Sequence, residues 1–99
     1  MKIVAVTACP TGIAHTYMAA DALVKAAAKF NVQIKVETQG AMGIENQLTH
    51  QDIAQADRIL IVSDIEIEQA GRFAGTDQVQ ISIEDVLLNV DKVFLVHCR

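Results

Sequence analysis

Cys9, Thr11, His15 and Thr16 share one short stretch of the chain: a nucleophile, two hydroxyls and an imidazole. The stretch follows the apolar run Ile3-Val4-Ala5-Val6 and leads into an alanine-rich segment of helical character. Cys9 is thereby placed in the turn between a buried strand and the first turn of a helix. Helix N-termini carry N–H groups without intrahelical partners and the positive end of the dipole, so they accept anions. The same field lowers a thiol's pKa from about 8.5 toward neutrality and makes the nucleophilic thiolate available. The chemistry expected of Cys9 is to take up and hold a phosphoryl group.

Other chemistries fit the loop less well. No Gly-Lys-Ser/Thr closes it as in a Walker A loop, and Gly12 is its sole glycine, too few for a dinucleotide fingerprint. Thioredoxin-type exchange needs C-x-x-C, but Gly12 stands three residues after Cys9. Cys9, His15, His50, His97 and Cys98 lack the paired spacing of metal ligands, and no metal or cofactor is expected. In the C-x5-R cradle of tyrosine phosphatases, the sixth residue after the cysteine is arginine; here it is His15. Pro10 is the chain's one proline, so the Asp-Pro general acid of the small phosphatases is absent too. A phosphate nest of loop amides over 10–16, with Thr11 and Thr16 adding hydroxyls, would lack the bidentate guanidinium. Such a loop suits forming a phosphothiolate and passing it on better than hydrolysing it.

The elements that must position this loop read as alternating strands and helices. Residues 2–7 predict a buried parallel strand and 14–29 a helix, with Ile13, Tyr17, Ala20, Val24 and Ala27 as its apolar face. Asp21 and Lys25 form an i,i+4 pair, and Asn31 is the stop signal. A near-edge strand over 33–38, a loop over 40–46, and a short helix to about residue 56 opened by Thr49 and Asp52 follow. Residues 58–63 predict a central strand, 66–70 a helical connection and 79–81 a brief strand. Ser82 and Asp85 open the last helix, while 93–96 reads equally as helix or strand. The expected fold is α/β: an open four-stranded parallel sheet in three layers, order 2-1-3-4, with helices on both faces. That order puts the Cys9 loop at the topological switch point, where such sheets bind ligands.

At 99 residues, 52% apolar and 20% charged, residues 1–99 make one domain. A net charge of −4 with scattered Lys and Arg excludes the basic stripe that nucleic acid or an anionic membrane surface requires. No apolar run is long enough for direct membrane insertion, and no signal peptide is evident. Two unpatterned cysteines point to a reducing cytoplasm.

Val6-Thr7-Ala8-Cys9-Pro10-Thr11-Gly12-Ile13-Ala14-His15-Thr16, continued by Met18-Ala19-Ala20, resembles the signature of fructose-type IIB components of the bacterial sugar phosphotransferase system (PTS). Lys35-Val36-Glu37-Thr38-Gln39-Gly40, Asn46-Gln47-Leu48-Thr49, Ala56-Asp57 and Arg72-Phe73-Ala74-Gly75 fit the same family, so the resemblance covers residues 2–75. It implies a protein-phosphohistidine–sugar phosphotransferase component: Cys9 takes a phosphoryl group from the phosphohistidine of IIA. It then gives the group to fructose or a fructose-like sugar held by the membrane permease IIC, with the carrier cytoplasmic and peripheral to the inner membrane. The expected site is catalytic Cys9, with Pro10, Thr11, Gly12, Ile13, Ala14, His15 and Thr16 around the phosphate. Residues 40–44 and Arg72-Phe73 are expected to frame the docking face. Glu37, Gln39 and Asp64 are either solvated strand ends or residues that position a partner. Arg72 either meets an acidic partner or the phosphoryl group or has no role at the site, and Tyr17 belongs to the core. His50, His97 and Cys98 read as surface or terminal residues. A phosphatase- or arsenate-reductase-like hydrolase and a phosphorylation-dependent regulatory module remain open alternatives.

Overall fold

The computed structural model describes residues 1–11 and 13–98. Its elements are β1 (Lys2–Ala8), α1 (Ala14–Lys29), β2 (Gln33–Gly40), β3 (Gly43–Glu45), α2 (His50–Gln55), β4 (Arg58–Ser63), a 3₁₀ turn (Ala70–Phe73), β5 (Gln78–Ile81) and α3 (Ile83–His97). The sheet order is β3-β2-β1-β4-β5, parallel throughout except for the antiparallel β2/β3 pair. Apart from β3, the four expected strands stand in the expected order. The fifth strand arises because residues 40–46, expected as a loop, fold back on β2 through a tight turn at Ala41 and Met42. Gly43 sits there at φ 95°, a conformation that favours glycine.

β1 lies at the centre, which explains its unbroken apolar character. Ile3 and Ala5 face a core shared with α1 and α3, while Val4, Val6 and Ala8 face one shared with Leu48, Ile53 and Phe73. α1 buries Thr16, Ala19, Leu23, Ala26 and Ala27, a face shifted from the one expected. Ile13 and Val24 point to solvent, and Tyr17 is half-buried with its phenol donating to Glu45 Oε1 at 3.3 Å. The larger apolar residues mark the wrong stripe because close packing on a sheet favours alanines, with Leu23 supplying the bulk. Asp21 and Lys25 pair as expected, at 2.9 Å. Asn31, at φ 59°, ends α1 in a Schellman motif: Val32 N–H donates to Ala27 O and Asn31 N–H to Ala28 O.

The Thr49/Asp52 capping box opens α2 as expected. The connection over 66–70 is not helical; the one 3₁₀ turn there begins only after Gln69, at φ 57°. Residues 93–96 belong to α3, where Phe94 stacks on Phe30 with centroids 5.6 Å apart. α3 breaks at Asn89, whose Oδ1 accepts from Lys92 N–H and recaps the second half.

Candidate functional site

β1 delivers Cys9 to the carboxyl end of the sheet, between Gln39 on β2 and Ser63 on β4, the partners of Ala8. The Thr16 hydroxyl donates to Cys9 Sγ at 3.0 Å, and Thr11 Oγ1 lies 3.4 Å from the same sulfur. Thr16 is itself fully buried, and its carbonyl accepts from Thr7 Oγ1 at 3.1 Å. Thr7 thus ties the first turn of α1 to β1 and aims the Thr16 hydroxyl. Its role was hidden in the sequence because it reads as one more β-branched strand residue.

Ile13 stands at the N-cap of α1 without a side-chain hydrogen bond to the helix, and the first turn holds no acidic residue. The leading N–H groups of α1 are thus not capped by that side chain, and helix starts without such a cap attract anions. Pro10, Thr11, Ile13, Ala14 and His15 are exposed around it, whereas Cys9 is 4% exposed and packs into the α1/α3 core. The loop is at the surface as expected, but the sulfur lies beneath its lip, held by the apolar packing a thiol favours. Gly12 lies outside the described residues. Cys98, expected at the surface, is buried; burial pushes its thiol up to about 11, despite the opposing pull of Arg58. His50 is exposed and His97 half-buried.

On the opposite face of the sheet, Glu37 and Arg72 form a buried ion pair. Arg72 Nη1 donates to Glu37 Oε1 at 2.7 Å and Nη2 to Oε2 at 2.9 Å, with the Glu37 side chain fully buried. Leu48 N–H and Gln39 Nε2 also donate to this carboxylate, each at 2.8 Å, and Arg72 Nη1 donates to Leu48 O at 3.1 Å. Burial pushes the Glu37 carboxyl up, but the bonds from Arg72, Gln39 and Leu48 outweigh it and hold the group below its ordinary range. Arg72 therefore neutralises Glu37, and its guanidinium bonds go to Glu37, Leu48, Gln69 and Glu68, which favours the reading without a direct role at the sulfur. Phe73 is fully buried, so the Arg72-Phe73 segment does not frame a docking face. Residues 40–44 do project: Met42 at the hairpin tip is 84% exposed. Asp64 is exposed directly after β4.

Among the described residues no group of three or more His, Cys, Asp or Glu could hold a metal ion, and no helix is long and apolar enough to cross a membrane.

The family described as "PTS system, Lactose/Cellobiose specific IIB subunit" matches residues 4–95. The fructose-like EIIB component 2 of Escherichia coli K12 is 50% identical over 92 residues, covering 93% of this chain and 87% of that protein. The fructose-specific EIIABC component of Bacillus subtilis is 51% identical over 82 residues, 83% of this chain but 13% of that much longer one. A crystal structure of a "Predicted Fructose Specific IIB from Escherichia Coli" superposes with a TM-score of 0.91 at 43% identity, covering 98% of this chain and 86% of the other. The family description names lactose and cellobiose, whereas these relatives are named for fructose; at half-identical sequence the relatives carry more weight.

Proposed function

Because the chain belongs to the IIB family of the PTS and is fructose-like in its relatives, we propose that it is a phosphoryl carrier with Cys9 as the covalent site. The observation that carries this reading is the Cys9 sulfur at the switch point of the sheet. A buried hydroxyl donates to it at 3.0 Å, and the start of a sixteen-residue helix lies beside it. In the first step the sulfur attacks the phosphorus of a IIA phosphohistidine. The S–P bond forms, the N–P bond breaks, and the thiol's proton ends on the departing imidazole. In the second step a hydroxyl of fructose or a fructose-like sugar on IIC attacks the phosphorus. The S–P bond breaks and the sugar's proton returns to the sulfur.

The loop 10–16 supplies the donors: amides at the start of α1, with the Thr11 and Thr16 hydroxyls flanking the sulfur. These hold a dianion without a guanidinium clamp, which suits a group that must leave again. The partner's phosphoryl group reaches the sulfur past exposed Pro10 and Thr11. Relatives whose names join A, B and C components support IIA and IIC as the partners. Both transfers would take place in the cytoplasm. A hydrolase reading is disfavoured because Arg72 is committed to Glu37.

The test is intact mass after incubation with phosphoenolpyruvate, the general phosphotransferase proteins and a fructose-type IIA. A phosphoryl-sized gain on the wild type and none on Cys9→Ser is expected. No gain with charged donor proteins would overturn the reading.

A further inference from the structure

The Lys35–Gly40 motif contains one side chain whose contacts extend past the ion pair toward the Cys9 loop. Gln39 Oε1 accepts from Glu68 N–H at 2.7 Å, and Gln39 Nε2 donates to Glu68 O at 3.0 Å. The side-chain amide thus engages both backbone groups of one residue, as a neighbouring strand would. It explains why residues 66–70 do not form a helix: the Glu68 backbone bonds are spent on Gln39, and Gln69 turns left-handed next to it.

The register places this clasp. Gln39, Ala8 and Ser63 stand in one row across β2, β1 and β4. Gln39 on one side therefore reaches the chain that leaves β4 on the other, spanning the strand end from which the Cys9 loop departs. That chain begins with a Ser63 turn, in which Ser63 Oγ accepts from Ile65 N–H at 3.0 Å and donates to Ile65 O at 2.6 Å. The turn presents Asp64, Ile65 and Glu66 to solvent directly after Ser63, the register partner of the Ala8 that precedes Cys9. The segment is anchored at Ser63 and at Glu68, and the second anchor is Gln39, which is itself held by Glu37.

We propose that Gln39 is a positioning residue that fixes residues 64–68 as a preformed rim beside Cys9, against which the phosphoryl donor protein docks. The inference rests on the carrier reading above. An exposed segment of this kind would otherwise have to be ordered at the moment of encounter, which weakens binding without touching the chemical step. Gln39 touches neither the sulfur nor the phosphoryl group, so its loss acts on docking.

The test compares wild type with Gln39→Leu, which keeps the bulk and removes the amide. With charged IIA as donor, the KM for IIA should rise about tenfold while kcat stays within about twofold. Amide hydrogen exchange supplies a readout that needs no variant: Glu68 N–H should be protected in the wild type although the residue is exposed, and Gln39→Leu should lose that protection. A wild-type Glu68 amide exchanging like an open peptide would overturn the inference. So would an unchanged KM in a folded variant, or a loss confined to kcat. If wild type takes no phosphoryl group from charged IIA, the carrier reading fails and the inference falls with it. An unchanged KM alongside normal wild-type transfer removes only the role of Gln39.

Discussion

The two polar clusters at the carboxyl ends of the strands are built on opposite plans. Around Cys9 the donors are aimed but not closed: hydroxyls at 3.0 and 3.4 Å from the sulfur, and a helix start that its N-cap side chain does not cover. Around Glu37 the valences close on one another: a bidentate arginine, an amide and a backbone N–H meet one buried carboxylate. On the proposed carrier reading, a site that receives and releases a dianion needs donors that are aimed at it without being locked to one another. A site that must hold three chain segments in place spends its hydrogen bonds internally.

The largest effect expected is on the open side. Cys9→Ser should abolish phosphoryl transfer while circular dichroism and the unfolding midpoint stay near wild type. Cys9 contributes a small side chain at the rim of the α1/α3 core, and serine nearly preserves its volume. A variant that fails to fold would place Cys9 on the closed side of the comparison.

The closed side should respond in stability first. Arg72→Ala leaves a fully buried carboxylate without its main partner and should cost about 3–5 kcal/mol in urea unfolding. Glu37→Leu combined with Arg72→Met should recover much of that loss, because it removes the charge along with its partner. The pH dependence has a definite sign. The folded Glu37 carboxyl lies below its ordinary value of 4.5, so its contribution is complete above that value. The contribution is lost as pH falls from 4.5 through the folded value. Unfolding measured from neutrality downward should show wild type losing stability across that window, and the double variant losing less.

How far each cluster could be read from the sequence follows from how local it is. The Cys9 loop is contiguous, so strand, nucleophile and helix start all lie within one run of residues, and β1 and β4 announce themselves by buried apolar runs. The Glu37–Arg72 pair joins residues thirty-five apart, and Glu37 sits in a strand whose alternation reads as solvent-facing. Its neighbour Lys35 does point that way and pairs with Asp52 at 2.8 Å. Only tertiary structure, which brings Leu48 N–H and the Arg72 guanidinium onto Glu37, separates the two. The buried face of α1 departs from its sequence pattern for a related reason: alanines mark no stripe strongly, so packing on the sheet and α3 decides which one is buried. β3 has three residues, too few for a period to be visible.

Thr16 stands between the two plans, since it is buried yet serves the open site. Thr16→Val keeps shape and removes the donor to sulfur, so transfer should fall about ten- to a hundredfold. Stability should drop by about 1 kcal/mol, the worth of one neutral hydrogen bond. A rate measured by quenched flow beside the urea midpoint separates the two effects. Equal loss in both would mean the hydroxyl is structural.

The smallest effect is the most selective. Thr11 is exposed, and its hydroxyl lies 3.4 Å from Cys9 Sγ, a longer and weaker contact than that of Thr16. Thr11→Ala removes a donor that contributes little to the folded state, because water replaces it. Urea unfolding should be unchanged within about 0.5 kcal/mol. Transfer from charged IIA should nevertheless fall about two- to fivefold, because the donor is lost where phosphoryl charge gathers. The informative quantity is the ratio of the two responses: rate without stability for Thr11, rate with slight stability for Thr16, stability first for Arg72. If Thr11→Ala lowers stability as much as rate, the lip over Cys9 is a packed wall. If neither moves, the phosphoryl group is held by the start of α1 and Thr16 alone.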